Sequence, residues 1–188
     1  MRHYGIHIGG VFASREPAVV RTVLGSCISV CLRDPVAKIG GMNHFMLPTG
    51  GMEEEANARY GIHAMELLIN ECMKMGADRR RLEAKVFGGG HVLRVQVSEG
   101  NVPQSNIRFA LQFLATEGIP ILARDLGGFA AREVYFFTDS GRTLLKRLSH
   151  TGLDNTQELA AIEHAEQTQL QSWAKPAPPE DDSNITLF

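Results

Sequence analysis

The 188-residue sequence holds three cysteines, Cys27, Cys31 and Cys72. An odd and sparse set excludes a secreted disulfide framework and points to reduced thiols. No stretch approaches the roughly 20 consecutive apolar residues that a membrane-spanning helix requires. Charge of either sign is not in excess: 19 Lys and Arg stand against 21 Asp and Glu, a formal net charge of -2. Broad electrostatic attraction to nucleic acid or an anionic membrane is therefore not expected. "MRHYGIHIGGVFASREP" lacks a long apolar run ahead of a small-residue cleavage site, so a signal peptide is not expected and a cytoplasmic location is. "FGGGHV" lacks the Lys-Ser/Thr of a P-loop and the spaced glycines of a dinucleotide fingerprint, and reads as a tight bend. His3 and His7 would share a face of a strand, but no cysteine or carboxylate motif at ligand spacing accompanies them, and no metal site is expected. No internal repeat appears.

What is present is a 44% hydrophobic, 21% charged composition, enough for one globular domain with an appendage. Residues 5–12 and 19–24 are rich in Val and Ile and read as strands. Over residues 57–75 apolar side chains recur at three- and four-residue steps and Gly76 follows, which predicts a helix with a glycine C-cap. "RLEAKVFGGG" reads as a strand entering a glycine turn, and residues 105–117 as a second amphipathic helix ended by Gly118. "IPILARD", "REVYFFT" and "TLLKRL" read as strands, the last two joined by a hairpin turn at Asp139-Ser140-Gly141. Arg79-Arg80-Arg81 reads as a solvated loop. The expected fold is α/β: a layered sandwich of mixed, largely antiparallel sheet with two main helices. After Ser149 the composition turns polar and helix-prone, then rich in Pro and acid. We therefore divide the chain into a domain over 1–148 and a partly disordered appendage over 149–188, whose closing "EDDSNITLF" has the form of a tethered docking peptide or of a plain solvated tail.

The chemistry-bearing stretch is "TVLGSCISVCLRDPVAKIGGMNHFMLP", residues 22–48. Asp34-Pro35-Val36-Ala37 carries a type I turn signature between two apolar segments, which predicts a β-hairpin. With Pro35 and Val36 at the centre of the turn, Arg33 faces Lys38, Leu32 faces Ile39 and Cys27 faces His44. Opposed residues in an antiparallel pair lie on one side of the sheet, roughly 5 Å apart at Cβ, so thiol and imidazole can meet. Such a pair makes a nucleophile suited to carbonyl carbon: the imidazole takes the thiol proton and then protonates a leaving nitrogen. Gly25 and Ser26 let backbone come close to a substrate, and N–H groups near Cys27 could form an oxyanion hole. The same residues also fit a packed core with an inert buried thiol. Cys31, four residues along and facing Gly40, has no base opposite it and reads as packing.

"LGSC", followed seventeen residues after its Cys by the His of "HFMLP", resembles the CheD family of chemoreceptor glutamine deamidases. The resemblance runs on through "RLEAKVFGGG" and "ARDLGGFAAREVYF" to about Leu148. It implies that Cys27 is the nucleophile and His44 the general acid/base in converting receptor Gln side chains to Glu with release of ammonia, without cofactor or metal. It implies an α/β sandwich similar to cytotoxic necrotizing factor-type deamidases, and partnership with chemoreceptor cytoplasmic domains and a CheC-type phosphatase. The family's third catalytic residue is a Thr that can stand six residues before the Cys. This chain has Arg21 there and Thr22 five before, and the role is carried to Thr22. The rival reading is a non-catalytic adaptor that binds chemoreceptors and a CheC-type phosphatase through the same surface.

Overall fold

A computed structural model of the chain describes residues 1–48, 54–92, 102–148 and 156–174. Runs rich in β-branched and aromatic residues form the strands β1 (Arg2–Gly5), β2 (Val11–Ser14), β3 (Ala18–Leu24), β4 (Ile28–Asp34), β5 (Ile39–Asn43), β6 (Glu83–Gly88), β7 (Ile121–Leu126), β8 (Ala131–Phe137) and β9 (Thr143–Leu148). The helices are α1 (Glu54–Met75), α2 (Val102–Thr116) and α3 (Thr156–Ala174). There are thus three helices among the described residues, where two were expected. The polar stretch after residue 155 is itself helical.

The strands make two sheets, one ordered β1-β3-β8-β9 and the other β2-β5-β4-β6-β7. All pairings are antiparallel except β1 with β3 and β6 with β7. Side chains along a strand point alternately to its two faces, and β4 uses both. Ile28, Val30 and Leu32 pack with Leu68, Phe113 and Leu114 of α1 and α2. Cys31 packs toward the other sheet with Met42, Val20 and Phe136. The layers are therefore α1 with α2, five-stranded sheet, four-stranded sheet. Each fully buried aliphatic side chain contributes about 1.5–3 kcal/mol.

Local sequence explains the element ends. Gly76 takes φ 110°, its N–H bonds Met73 O, and the N–H of Ala77 bonds Cys72 O, a Schellman closure of α1 that only glycine adopts cheaply. Gly118 closes α2 in the same way through Ala115 and Leu114. Residues 5–12 are not one strand. The chain crosses from one sheet to the other through a turn over residues 6–10, where Gly9 stands at φ 83° and its N–H bonds His44 O. The three arginines are solvated, as expected, but form a short 3-10 turn rather than a loop, in which Arg79 pairs with Glu66 and Glu117, and Arg81 with Asp34. The proposed docking peptide at 180–188 lies outside the described residues.

The β4–β5 register differs from the expected one by two residues: Arg33 faces Gly40, Leu32 faces Gly41 and Cys31 faces Met42. The cause is Asp34. Its buried carboxylate accepts from the N–H groups of Val36 and Ala37, and the connection becomes four residues long, closed by Lys38 at φ 55°. The shift is even, so every side chain keeps its face.

Asp34 also accepts from Asp78 N and the Arg81 guanidinium, which ties the hairpin to the end of α1. The Arg81 guanidinium, helped by these backbone donors, holds the Asp34 carboxyl well below the usual carboxylate range. Asp34→Ala should therefore cost roughly 3 kcal/mol at neutral pH. A carboxyl depressed in the folded state stabilises above its unfolded value near 4 and loses that contribution as pH falls below it. Urea midpoints at pH 7 and pH 3 check this: the gap between wild type and Asp34→Ala should narrow in acid.

Candidate active site

Cys27 lies in the three-residue connection between β3 and β4, and the backbone there is pinned from behind. Gly90 N–H bonds Gly25 O at 2.8 Å, the Asn106 side-chain amide bonds Ser26 O at 2.9 Å, and Gly89 N–H bonds Cys27 O at 2.7 Å. Three successive carbonyls are thus held by the "FGGG" bend and by α2. The N–H groups of Ser26 and Cys27 remain to face a ligand, an amide nest of the kind that cradles anions. The bend must be glycine: Gly88 stands at φ 117°, and a Cβ on it would collide with Cys27 O. Asn106, fully buried, also accepts from Leu47 N at 2.8 Å. It thereby locks the cysteine loop to the segment that follows His44.

His44 follows β5 and is 5% exposed. An isolated bridge joins Ile28 to Phe45, so the shifted register continues and Cys27 stands nearest Met46 rather than directly across from His44. The even shift keeps the two on the same, sandwich-interior side, one diagonal step apart, a separation of roughly 7–8 Å for such positions. Thr22, on β3 of the opposite sheet, brings its hydroxyl to 2.8 Å from His44 Nδ1 and 2.9 Å from Ile6 O. A carbonyl can only accept, so the one hydroxyl proton goes to Ile6. Thr22 then accepts from Nδ1–H, which fixes the tautomer and leaves Nε2 with its lone pair. That Nε2 is buried and without a partner among the described residues. Burial, with a smaller push from His7, lowers the His44 pKa to about 3, so the ring is a neutral base at physiological pH.

The thiol itself is fully buried, and its partner comes from α3. Glu166 Oε1 lies 2.9 Å from Cys27 Sγ and 3.2 Å from Cys27 N, while Oε2 lies 2.7 Å from Ser26 Oγ and 3.2 Å from Ser26 N. Gly25 makes room, because a Cβ there would stand 2.8 Å from Oε1. Burial first, and then the Glu166 charge, push the Cys27 thiol well above its ordinary pKa. Burial also raises Cys31 and takes Cys72 to about 12. A cleft of about 570 Å³ runs between α3 and the four-stranded sheet, with Thr22 and His44 on one wall and Glu166 and Gln169 on the other.

The structure thus joins Thr22 to His44 directly and sets Cys27 in the amide nest. Residue patterns pointed to Ser26 and the amides near Cys27 but missed Asn106 and Glu166. For Glu166 a signal existed: Leu159, Ile162, Glu166 and Leu170 fall at steps of three and four on one helix face, and a carboxylate inside an apolar stripe calls for a specific partner.

A thiol, a neutral imidazole of fixed tautomer and paired amide donors are the parts of a thiol-dependent amidohydrolase site. The family model for CheD chemotactic sensory transduction matches residues 46–147. A protein of Laribacter hongkongensis is 50% identical over 144 residues, covering 74% of this chain and 69% of its own. Proteins of Stenotrophomonas maltophilia and Xanthomonas campestris are each 50% identical over 155 residues, covering 82% of this chain and 76% of their own. All three carry the name "Probable chemoreceptor glutamine deamidase CheD". The chain belongs to the CheD family.

Gly88→Ala tests the pinned loop. Forcing a side chain into the left-handed region against Cys27 O should cost about 3 kcal/mol. Thermal unfolding measures the loss; an unchanged midpoint would show that the bend is free to move away from the cysteine.

Proposed function

We propose that the chain is a protein-glutamine deamidase that converts chemoreceptor Gln side chains to Glu, with Cys27 as nucleophile, His44 as general acid/base and Thr22 as the residue that orients His44. The observation that carries the proposal is the commitment of the Thr22 hydroxyl to Ile6 O, which leaves an imidazole nitrogen with no partner among the described residues.

In the proposed reaction, His44 Nε2 takes the thiol proton as Sγ adds to the side-chain carbonyl carbon. The N–H groups of Ser26 and Cys27 stabilise the oxyanion. The C–N bond breaks, and nitrogen leaves as ammonia with the proton that His44 returns. Water, deprotonated by His44, adds to the thioester carbon; the C–S bond breaks and the thiol is restored. Nucleophile, base and donors all come from the chain, so the mechanism calls for no metal or cofactor. The product is a new carboxylate on the receptor, a charge able to alter packing between its helices.

We further propose a catalytic domain over 1–148 with 149–188 appended, a likeness to cytotoxic necrotizing factor-type deamidases, a cytoplasmic location and partnership with a CheC-type phosphatase. No helix among the described residues is long and apolar enough to cross a membrane. The exposed Phe129, whose ring lies against that of His91 next to the glycine bend, favours a protein-binding surface beside the site, which serves the enzyme and an adaptor role alike.

Mass analysis of a receptor cytoplasmic domain incubated with each variant tests the roles. Cys27→Ala should abolish deamidation, and His44→Ala should lower it by about 10²–10⁴-fold. Thr22→Val should lower kcat about tenfold or more by freeing the tautomer, with Thr22→Ser restoring most of it. Cys31→Ala should keep most activity. Deamidation persisting in Cys27→Ala removes the nucleophile assignment.

A further inference from the structure

Glu166 raises a question that the catalytic parts do not answer. A carboxylate at the middle of a helix is fully buried and takes two backbone N–H groups, a hydroxyl and a thiol as its partners. Burying such a charge is costly unless donors converge on it, and a helix that served only to cover the sheet would be better packed with an aliphatic residue there. The neighbours on that face are aliphatic: Leu159 packs with Val92, Ala131 and Leu148, Ile162 lies against the same cluster, and Leu170 packs on the sandwich interior. Glu166 is therefore held in place from both sides along the helix.

The two oxygens take the donors that the reaction assigns to its oxyanion: one lies beside Cys27 N and Sγ, the other beside Ser26 N and Oγ. A γ-carboxylate so placed is the deamidation product.

We propose that α3 is a built-in product mimic: it seats Glu166 in the site as a newly formed glutamate would sit, and so competes with the receptor for the cleft. The partner the cleft accepts is then a helix that presents a carboxamide or carboxylate side chain across the four-stranded sheet, along the track α3 takes. While α3 is seated, the thiol is shielded and faces a negative charge, which disfavours the thiolate. Deamidation requires α3 to withdraw. The proposal rests on the reading of Cys27 as nucleophile.

Two full-length variants test it. Glu166→Ala removes the mimic, and Glu166→Gln replaces it with a side chain of the same shape that is also a substrate. In Glu166→Ala, iodoacetamide should label Cys27 on the order of tenfold faster than in wild type, and kcat/KM on the receptor should rise by a similar factor with kcat unchanged, as for a site that is blocked about nine-tenths of the time. In Glu166→Gln, peptide mass mapping should find residue 166 converted to Glu at a rate independent of protein concentration, with no conversion when Cys27→Ala is added. Unchanged labelling and unchanged kcat/KM in Glu166→Ala, or an introduced glutamine that persists at position 166 of a protein still deamidating the receptor, overturns the product mimic and leaves the catalytic reading standing. If neither the receptor nor residue 166 is converted by any form while Cys27 is readily alkylated, the catalytic reading fails and the mimic fails with it.

Discussion

The position of Cys27 and of the amides beside it depends on three carbonyls being turned the same way. Gly25, Ser26 and Cys27 present their oxygens to Gly90, Asn106 and Gly89, which turns the amides of Ser26 and Cys27 the other way as a pair, toward Glu166. Buried carbonyls must find donors. Here the donors come from a bend after β6 and from α2, and both would be misplaced without the two sheets and their helical layer. The bend is in turn held by the connection between β7 and β8: Gly127 N–H bonds Gly88 O, and His91 N–H bonds Gly128 O. An anion site made of backbone needs no long side chain to be held in one rotamer, and its geometry is as rigid as the sheet behind it.

The second half of the site is assembled across the sandwich rather than along the chain. Thr22 belongs to the four-stranded sheet and His44 to the end of a strand in the other, and the hydrogen bond between them spans the interior layer. Ile6 supplies the carbonyl that sets the direction of that bond only because β1 ends at Gly5 and the chain turns there. The crossing turn further anchors His44 by its own backbone, through Gly9 N–H to His44 O and His44 N–H to Gly10 O. A break in what reads as a continuous Val- and Ile-rich strand is thus what orients the imidazole.

Much of this was legible in the residues and some was not, for identifiable reasons. α1 and α2 were marked by period and by Gly76 and Gly118, whose left-handed φ values announce helix ends. The hairpin was legible from Asp34-Pro35, but its register was not. Loop length was decided by the Asp34 carboxylate, which took Val36, Ala37, Asp78 and Arg81 at once, and Asp78 and Arg81 are too distant in sequence to enter a turn rule. The pairing of Thr22 with His44 was hidden for a similar reason, since it depends on which sheet each strand joins. Arg21 points away to Glu133, so the single-residue step from Arg21 to Thr22 is what brings a hydroxyl to the interior. Glu166 was hidden because a polar helix with Glu and Gln at many positions reads as solvated; only its company with Leu159, Ile162 and Leu170 distinguishes it.

A product mimic on a tether resolves a tension in the design of such a site. An enzyme must release its product, so the amide nest cannot bind a free carboxylate tightly, and a loose carboxylate would not inhibit at cellular concentrations. Attachment changes the arithmetic: a segment of the same chain meets the site at an effective concentration on the order of millimolar, so even a weakly held carboxylate is bound most of the time. The flanking contacts of Leu159, Ile162 and Leu170 add apolar burial that a free glutamate lacks. A receptor helix that supplies comparable burial at its own reacting residue can then displace α3, whereas isolated small amides, which bring no such surface, cannot. Selectivity for a helix-borne glutamine follows from the competition itself, before any base or nucleophile acts.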